Sequence, residues 1–146
     1  MKKLTSDEYL KIWRDFRGGL VGVPLETALL RVAEYWQSAH FVPYYLDLDL
    51  VHTWPDPWSL ISENYFCDIG KALGIIHTIE FSVCHFDFPE LRVYYDAEKD
   101  MEYHCAVFDQ YILNLVDGEV SSFGDVSTFE LRRIIGRDEL KLDNYR

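Results

Sequence analysis

The spacing of hydrophobic residues changes along the chain, from a helical period in the first half to a period of two in the second half. Apolar residues recur at helical spacing over residues 5–18 and 24–38, which predicts two amphipathic helices. Thr5 with Glu8 resembles a capping box at the start of the first helix. Asp56 followed by Pro57 predicts a short third helix ending near residue 62, and a fourth helix is predicted over residues 65–77.

The second half of the chain has the residue pattern of an antiparallel sheet. Residues 79–86 and 91–95 are predicted strands, and residues 103–108 and 111–116 are predicted to form a hairpin. Ser127 with Glu130 resembles a capping box, which predicts a last helix over residues 128–135.

The connection over residues 41–54 looks extended. Within it, residues 46–50 alternate between leucine and aspartate. This alternation fits either a short edge strand or a loop whose leucines pack on the core.

Together these elements predict a single α+β domain over residues 1–146. Its helical part covers about residues 1–77, its antiparallel sheet about residues 79–120, and its C-terminal helix about residues 128–135. The apolar fraction of 49% is sufficient for one substantial core in a chain of this length.

Charge and composition narrow the classes of function. The net charge of −11 argues against direct nucleic-acid binding, because a phosphate backbone attracts basic surfaces. No stretch approaches the roughly 18 apolar residues of a membrane span, and no secretory signal is visible. Three cysteines without a CxxC motif fit a reducing compartment, so we expect a cytoplasmic protein.

One arrangement of residues points to a particular chemistry. Cys67 lies where a loop is predicted to become a helix, and His104 lies on a predicted strand further along the chain. A thiol attacks as thiolate, which a helix N-terminus stabilises and a neighbouring imidazole can generate. The order of residues therefore predicts a nucleophile, its base and, on the next strand, the group that orients the base. Alternatively, Cys67 is a small buried residue, as most free cysteines are.

Two residues are candidates for orienting the imidazole. If the hairpin turn has two residues, His104 lies opposite Leu115, and Asp117 shares its face whereas Asn114 does not. A three-residue loop or a bulge shifts the register by one and brings Asn114 to the face of His104. The sequence leaves both arrangements open.

Residues 67–117 resemble the core of the transglutaminase-like and papain-like thiol superfamily over about a third of the chain. The matching features are Cys67 opening a helix, His104 on a strand, and Asn114 on the strand that follows. The resemblance implies a transglutaminase-like or papain-like core, with Cys67 as nucleophile, His104 as base and Asn114 as the orienting residue. It also implies acyl transfer or hydrolysis at an amide, with no cofactor.

Four residues that precede Cys67 in the sequence are predicted to contact substrate: Trp54, Trp58, Asn64 and Tyr65. Trp54 and Trp58 bracket a rigid turn, where their rings either close the core or form an aromatic wall beside the thiol. Asn64 and Tyr65 come directly before the helix that Cys67 opens.

Two Cys/His pairs raise the alternative of a zinc site, namely Cys84 with His85 and His104 with Cys105. Adjacent residues of a strand point to opposite faces, so neither pair can chelate a metal ion by itself. We therefore predict no metal site.

These observations predict a small cytoplasmic thiol enzyme that acts on an amide or acyl bond of a peptide or protein substrate. The alternative is a non-catalytic acidic protein, such as an inhibitor or adaptor of the kind that phages and mobile elements encode. Such a protein would dock on a basic protein partner, without membrane or direct nucleic-acid binding.

Overall fold

The computed structural model describes residues 4–82 and 86–145, in which four α-helices precede an antiparallel sheet. The predicted α+β class is therefore confirmed. The helices are α1 (Ser6–Gly18), α2 (Leu25–Gln37), α3 (Pro57–Glu63) and α4 (Asp68–Glu80). The strands are β1 (Glu90–Asp96), β2 (Met101–Phe108), β3 (Tyr111–Leu113), β4 (Val120–Ser121) and β5 (Glu130–Ile135). Short 3₁₀ helices cover Leu48–Thr53, Phe123–Val126 and Leu142–Tyr145.

Two helix starts lie where local sequence signals predict them. The hydroxyl of Thr5 accepts the backbone N–H of Glu8, and the Glu8 carboxylate accepts the N–H of Thr5, which completes the capping box of α1. The Asp56 carboxylate accepts the N–H of Ser59 at 2.8 Å, and Pro57 occupies the first turn of α3. In both cases a side chain accepts a hydrogen bond from a backbone N–H group that has no partner within the helix.

The central helix α4 begins three residues later than predicted and continues through Glu80. The predicted strand over residues 79–86 is wrong at its start, because Ile79 and Glu80 are helical. Every residue from Ile69 to Glu80 is buried. A helix that is buried on all sides has little amphipathic periodicity, so its β-branched residues can be mistaken for a strand.

The sheet has the strand order β4-β3-β2-β1-β5, and every neighbouring pair is antiparallel. The predicted hairpin is confirmed at its turn, where Phe108 pairs with Tyr111, but its second strand ends at Leu113 and does not continue to residue 116. The predicted helix over residues 128–135 is wrong, because Glu130–Ile135 forms β5 and pairs with β1. Its local capping signal is outweighed by the hydrogen bonds that the edge of β1 offers. A capping box forms instead between Ser122 and Asp125.

The leucine–aspartate alternation of residues 46–50 corresponds to a loop and not to a strand. Leu46 is buried in the core, and the 3₁₀ helix Leu48–Thr53 follows it. Asp47 caps this short helix through its contact with the N–H of Asp49 at 2.8 Å. The alternative in which leucines pack on the core is therefore the one observed.

Two hydrophobic clusters lie on the two faces of the sheet. The larger one joins the helices to one face and includes Trp13, Trp36 and Phe108. The smaller one covers the other face and includes Tyr94 and Cys105. Among the described helices, none is long and apolar enough to cross a membrane.

The buried histidine of α4 makes folding stability dependent on pH. His77 is only 1% exposed, its Nδ1 has no hydrogen-bond partner among the described residues, and burial lowers its pKa to about 3. The unfolded chain takes up a proton near pH 6.5, whereas the folded protein keeps His77 neutral. The stability that neutral His77 provides is therefore full above pH 6.5 and is lost progressively as the pH falls towards 3.

We expect the free energy of unfolding to fall by about 2 kcal/mol between pH 6.5 and pH 5 because of this one residue. Urea titrations at a series of pH values would measure this change. His77→Phe should flatten the profile, whereas His52→Phe, at an exposed histidine, should leave it unchanged. A wild-type profile in His77→Phe would contradict the assignment.

Candidate active site

The thiol of Cys67, at the start of α4, accepts hydrogen bonds from two backbone N–H groups. Cys67 is the N-cap residue, and its Sγ accepts the N–H of Gly70 and the N–H of Leu46, each at 3.4 Å. The side chain is buried, with 3% exposure. A helix N-terminus and a further amide donor both favour negative charge on the sulfur.

The imidazole of His104 projects from β2 towards the first turn of α4. Its Nδ1 lies 2.8 Å from Oδ2 of Asp68, and the same carboxylate oxygen accepts the backbone N–H of His104 at 3.1 Å. Its Nε2 is buried and lies 3.2 Å from Oε1 of Glu102, but it has no hydrogen-bond partner among the described residues. In the part of the chain that the structure describes, neither ring nitrogen hydrogen-bonds to Sγ of Cys67.

Asp68 is the residue that sequence reasoning missed. Its carboxylate bonds to both the ring and the backbone N–H of His104. The sequence predicted a residue of the following strand for this orienting role. The available signal was its position, directly after Cys67 and in the first helical turn, where carboxylates are favoured.

Asn114 reaches the same cluster by an unexpected backbone conformation. The hairpin has the two-residue turn, which by strict alternation places Asn114 on the face away from His104. At Asn114, however, the backbone is left-handed, with φ of 69°, and β3 has already ended. Its Nδ2 lies 3.2 Å from Oδ1 of Asp68 and 2.9 Å from the carbonyl oxygen of His104. Asn114 therefore supports Asp68 and the backbone of His104, and its hydrogen bonds among the described residues do not include the imidazole.

The other orienting candidate, Asp117, forms an ion pair elsewhere on α4. Its carboxylate lies 2.7 Å from Nζ of Lys71, whose side chain is almost fully buried. Asp117 thereby provides the counter-charge that a buried ammonium group requires.

The predicted substrate-binding residues do not form one surface. Trp54 donates its indole N–H to the carbonyl of Asp47 at 2.9 Å, and Trp58 packs against Phe81, which follows the far end of α4. A helix of 13 residues spans about 20 Å, so Trp58 lies far from Cys67.

Tyr65 is half-exposed near the start of the same helix. Its ring centroid lies 6.3 Å from that of Tyr45, whose hydroxyl donates to Glu63. This hydrogen bond is the main cause that raises the pKa of Tyr45 to about 12. The pKa of Tyr44 is raised mainly by the charge of Asp47, and Cys67 is close enough to both Tyr44 and Tyr45 to interact with them electrostatically. An exposed group of tyrosines therefore lies near the thiol.

Asn64 has a left-handed backbone between α3 and α4 and lines a cavity of about 290 Å³ with Tyr35, Trp36 and His40. That cavity lies between the first helices and the α3–α4 connection. Another cavity, of about 1050 Å³, lies at the β4 edge of the sheet and is not lined by Cys67.

No group of three or more His, Cys, Asp or Glu side chains is close enough to hold a metal ion within residues 4–82 and 86–145. His104 and Cys105 point to opposite faces of β2, and burial raises the pKa of Cys105 to about 12. Cys84 and His85, the other pair considered for zinc, lie outside the described residues.

The fold is transglutaminase-like. Two solved structures of Legionella pneumophila LapG match the chain, the calcium-bound one with a TM-score of 0.72 and the other with 0.70. Each match has 10% sequence identity and covers 92% of this chain and 77% of the LapG chain. No family model and no curated protein sequence matches the chain. The likeness confirms the transglutaminase-like fold expected from residues 67–117.

Proposed function

We propose that this protein is a thiol enzyme that acts on an amide or acyl bond of a peptide or protein, with Cys67 as the nucleophile. The observation that carries the proposal is the position of the Cys67 sulfur, at a helix start and within reach of two backbone N–H donors. The transglutaminase-like cysteine protease fold supports the same chemistry.

In the proposed reaction, Sγ of Cys67 attacks the carbonyl carbon and forms a thioester as the C–N bond breaks. His104 takes the thiol proton and returns it to the leaving amine, and water then hydrolyses the thioester. Asp68 orients the imidazole, and Asn114 positions Asp68 and the backbone of His104. For this transfer the ring of His104 has to turn towards Sγ, since neither ring nitrogen bonds to the thiol in this structure. Catalytic hydrogen bonds are often incomplete when no substrate is bound.

A second candidate function is favoured by the hydrogen bonding of His104. Its Nδ1 is engaged by Asp68 and makes no contact with the buried Cys67 thiol. In this alternative the protein is a non-catalytic acidic binding protein, and Cys67 serves only as the cap of α4.

Alkylation of the native protein by iodoacetamide between pH 5 and pH 9, followed by peptide mapping, distinguishes the two functions. If the thiol is activated, Cys67 should react in the folded state, and His104→Ala should slow its reaction about tenfold near neutral pH, because the thiolate is the reactive form. Cys105 is the internal control, since it is fully buried and should react only on unfolding.

Folding of His104→Ala should be checked by circular dichroism, and His104→Gln offers a variant with smaller loss of packing. The proposed enzymatic function is contradicted if Cys67 is labelled only when the protein unfolds, or if neither His104 variant changes its labelling rate. Either result would favour the binding protein.

A further inference from the structure

The cavity of about 1050 Å³ at the β4 edge has the features of a peptide groove. Residues from both faces of the sheet line this cavity. Glu26 and Leu30 come from α2 on one side, whereas Tyr103 and Phe129 belong to the smaller cluster on the other side. The edge strand β4, Val120–Ser121, also lines the cavity and so lies between the two walls.

The pairing of the strands shows which backbone groups of β4 face the groove. Phe108 and Tyr111 flank the two-residue turn and exchange backbone hydrogen bonds. Because such pairs alternate along an antiparallel ladder, the N–H and C=O of Ile112 point to Ser121 on β4. The backbone groups of Val120 then point away from the sheet, where a further strand could pair with them.

The side chains of the groove combine apolar surface with negative charge. The rings of Tyr103 and Phe129 stack with centroids 5.5 Å apart, and the side chains of Val116 and Phe123 are 48% and 40% exposed.

Among the described residues, three carboxylates, those of Glu26, Glu119 and Asp125, line the groove together with one lysine, Lys99. The chain as a whole carries a net charge of −11. An acidic groove with apolar walls is complementary to a chain segment that carries both cationic and apolar side chains.

We propose that this groove binds an extended, positively charged segment of a partner protein, which adds to β4 as a further strand. The backbone of the segment pairs with Val120, its apolar side chains pack against the exposed Val116 and Phe123, and its lysine or arginine side chains meet the carboxylates. The inference does not rest on the reactivity of Cys67, whose side chain lies outside the groove.

A phage-displayed library of random ten-residue peptides, selected against the folded protein, tests the proposal. The selected peptides should carry net positive charge, and a synthetic copy of the strongest should bind with an affinity that falls as salt is raised. Glu119→Lys should weaken this peptide about fivefold. Glu34→Lys, the same charge reversal on the exposed surface of α2, should change its affinity less than twofold.

Val120→Pro tests the strand pairing, because proline removes the outward N–H and is tolerated on edge strands. Binding should fall about tenfold while the amide NMR spectrum outside β4 is retained. Cys67→Ala should bind like the wild type, which separates this proposal from the enzymatic one. The proposed peptide binding is refuted if the selection yields no binders, if the binders lack positive charge, or if Glu119→Lys and Glu34→Lys weaken binding equally.

Discussion

Replacing Thr78 by valine is expected to lower the free energy of unfolding by about 4 kcal/mol, although the two side chains have nearly the same shape. The hydroxyl of Thr78 accepts the indole N–H of Trp13 at 2.9 Å and that of Trp36 at 3.0 Å. It donates in turn to the carbonyl of Gly74 at 2.7 Å. Valine would leave both indole N–H groups buried without an acceptor, and each such group costs about 1–3 kcal/mol.

Thr78→Ser is the matched control for this substitution. Serine keeps the hydroxyl and loses one methyl group, so its cost should be about 1 kcal/mol. Urea unfolding, followed by tryptophan fluorescence, measures both variants. A Thr78→Val protein as stable as Thr78→Ser would show that the shared hydroxyl contributes little.

Gly74→Ala is expected to destabilise the protein by about 3 kcal/mol, although alanine is the better helix former. A Cβ atom at this position would overlap the indole ring of Trp36. The ring cannot move easily, because its N–H donates to the hydroxyl of Thr78 and the ring forms a T-shaped contact with that of Phe66. The substitution therefore pushes apart α2 and α4.

Gly70→Ala, one turn earlier in α4, should behave in the opposite way. The nearest atom to a Cβ there is Sγ of Cys67 at 3.7 Å, an ordinary contact. The gain in helix propensity should then leave this variant equally or more stable, by up to about 1 kcal/mol. Thermal unfolding of the two variants side by side gives the comparison. Equal destabilisation would mean that the close approach of Trp36 is not what requires glycine at position 74.

Features encoded by neighbouring residues could be predicted from the sequence. The caps at Thr5 and Asp56 and the two-residue hairpin turn each depend on residues close in sequence. The end of α4 and the identity of β5 could not be predicted, because both depend on distant contacts. Burial on every side hides the helical period of α4, and pairing with β1 outweighs the local signal for a helix over residues 128–135.

The same distinction applies to the candidate site. The position of Cys67 at a helix start follows from its local sequence, and His104 lies on the strand that its pattern predicts. Asp68 as the partner of the imidazole could not be predicted, since that contact requires the packing of α4 on β2. Strand alternation also fails at Asn114, where a left-handed residue ends the regular strand.

The complete burial of α4 has a consequence for how this protein can diverge. Positions on α1 that face solvent can accept many residues, but no position from Ile69 to Glu80 offers that freedom. Even its charged members are committed, Lys71 to Asp117 and Glu80 to Arg137. We expect homologous chains to vary least in this segment, with changes of volume matched by compensating changes in the residues around it. The central helix should therefore remain recognisable after the surface sequence has drifted beyond detection.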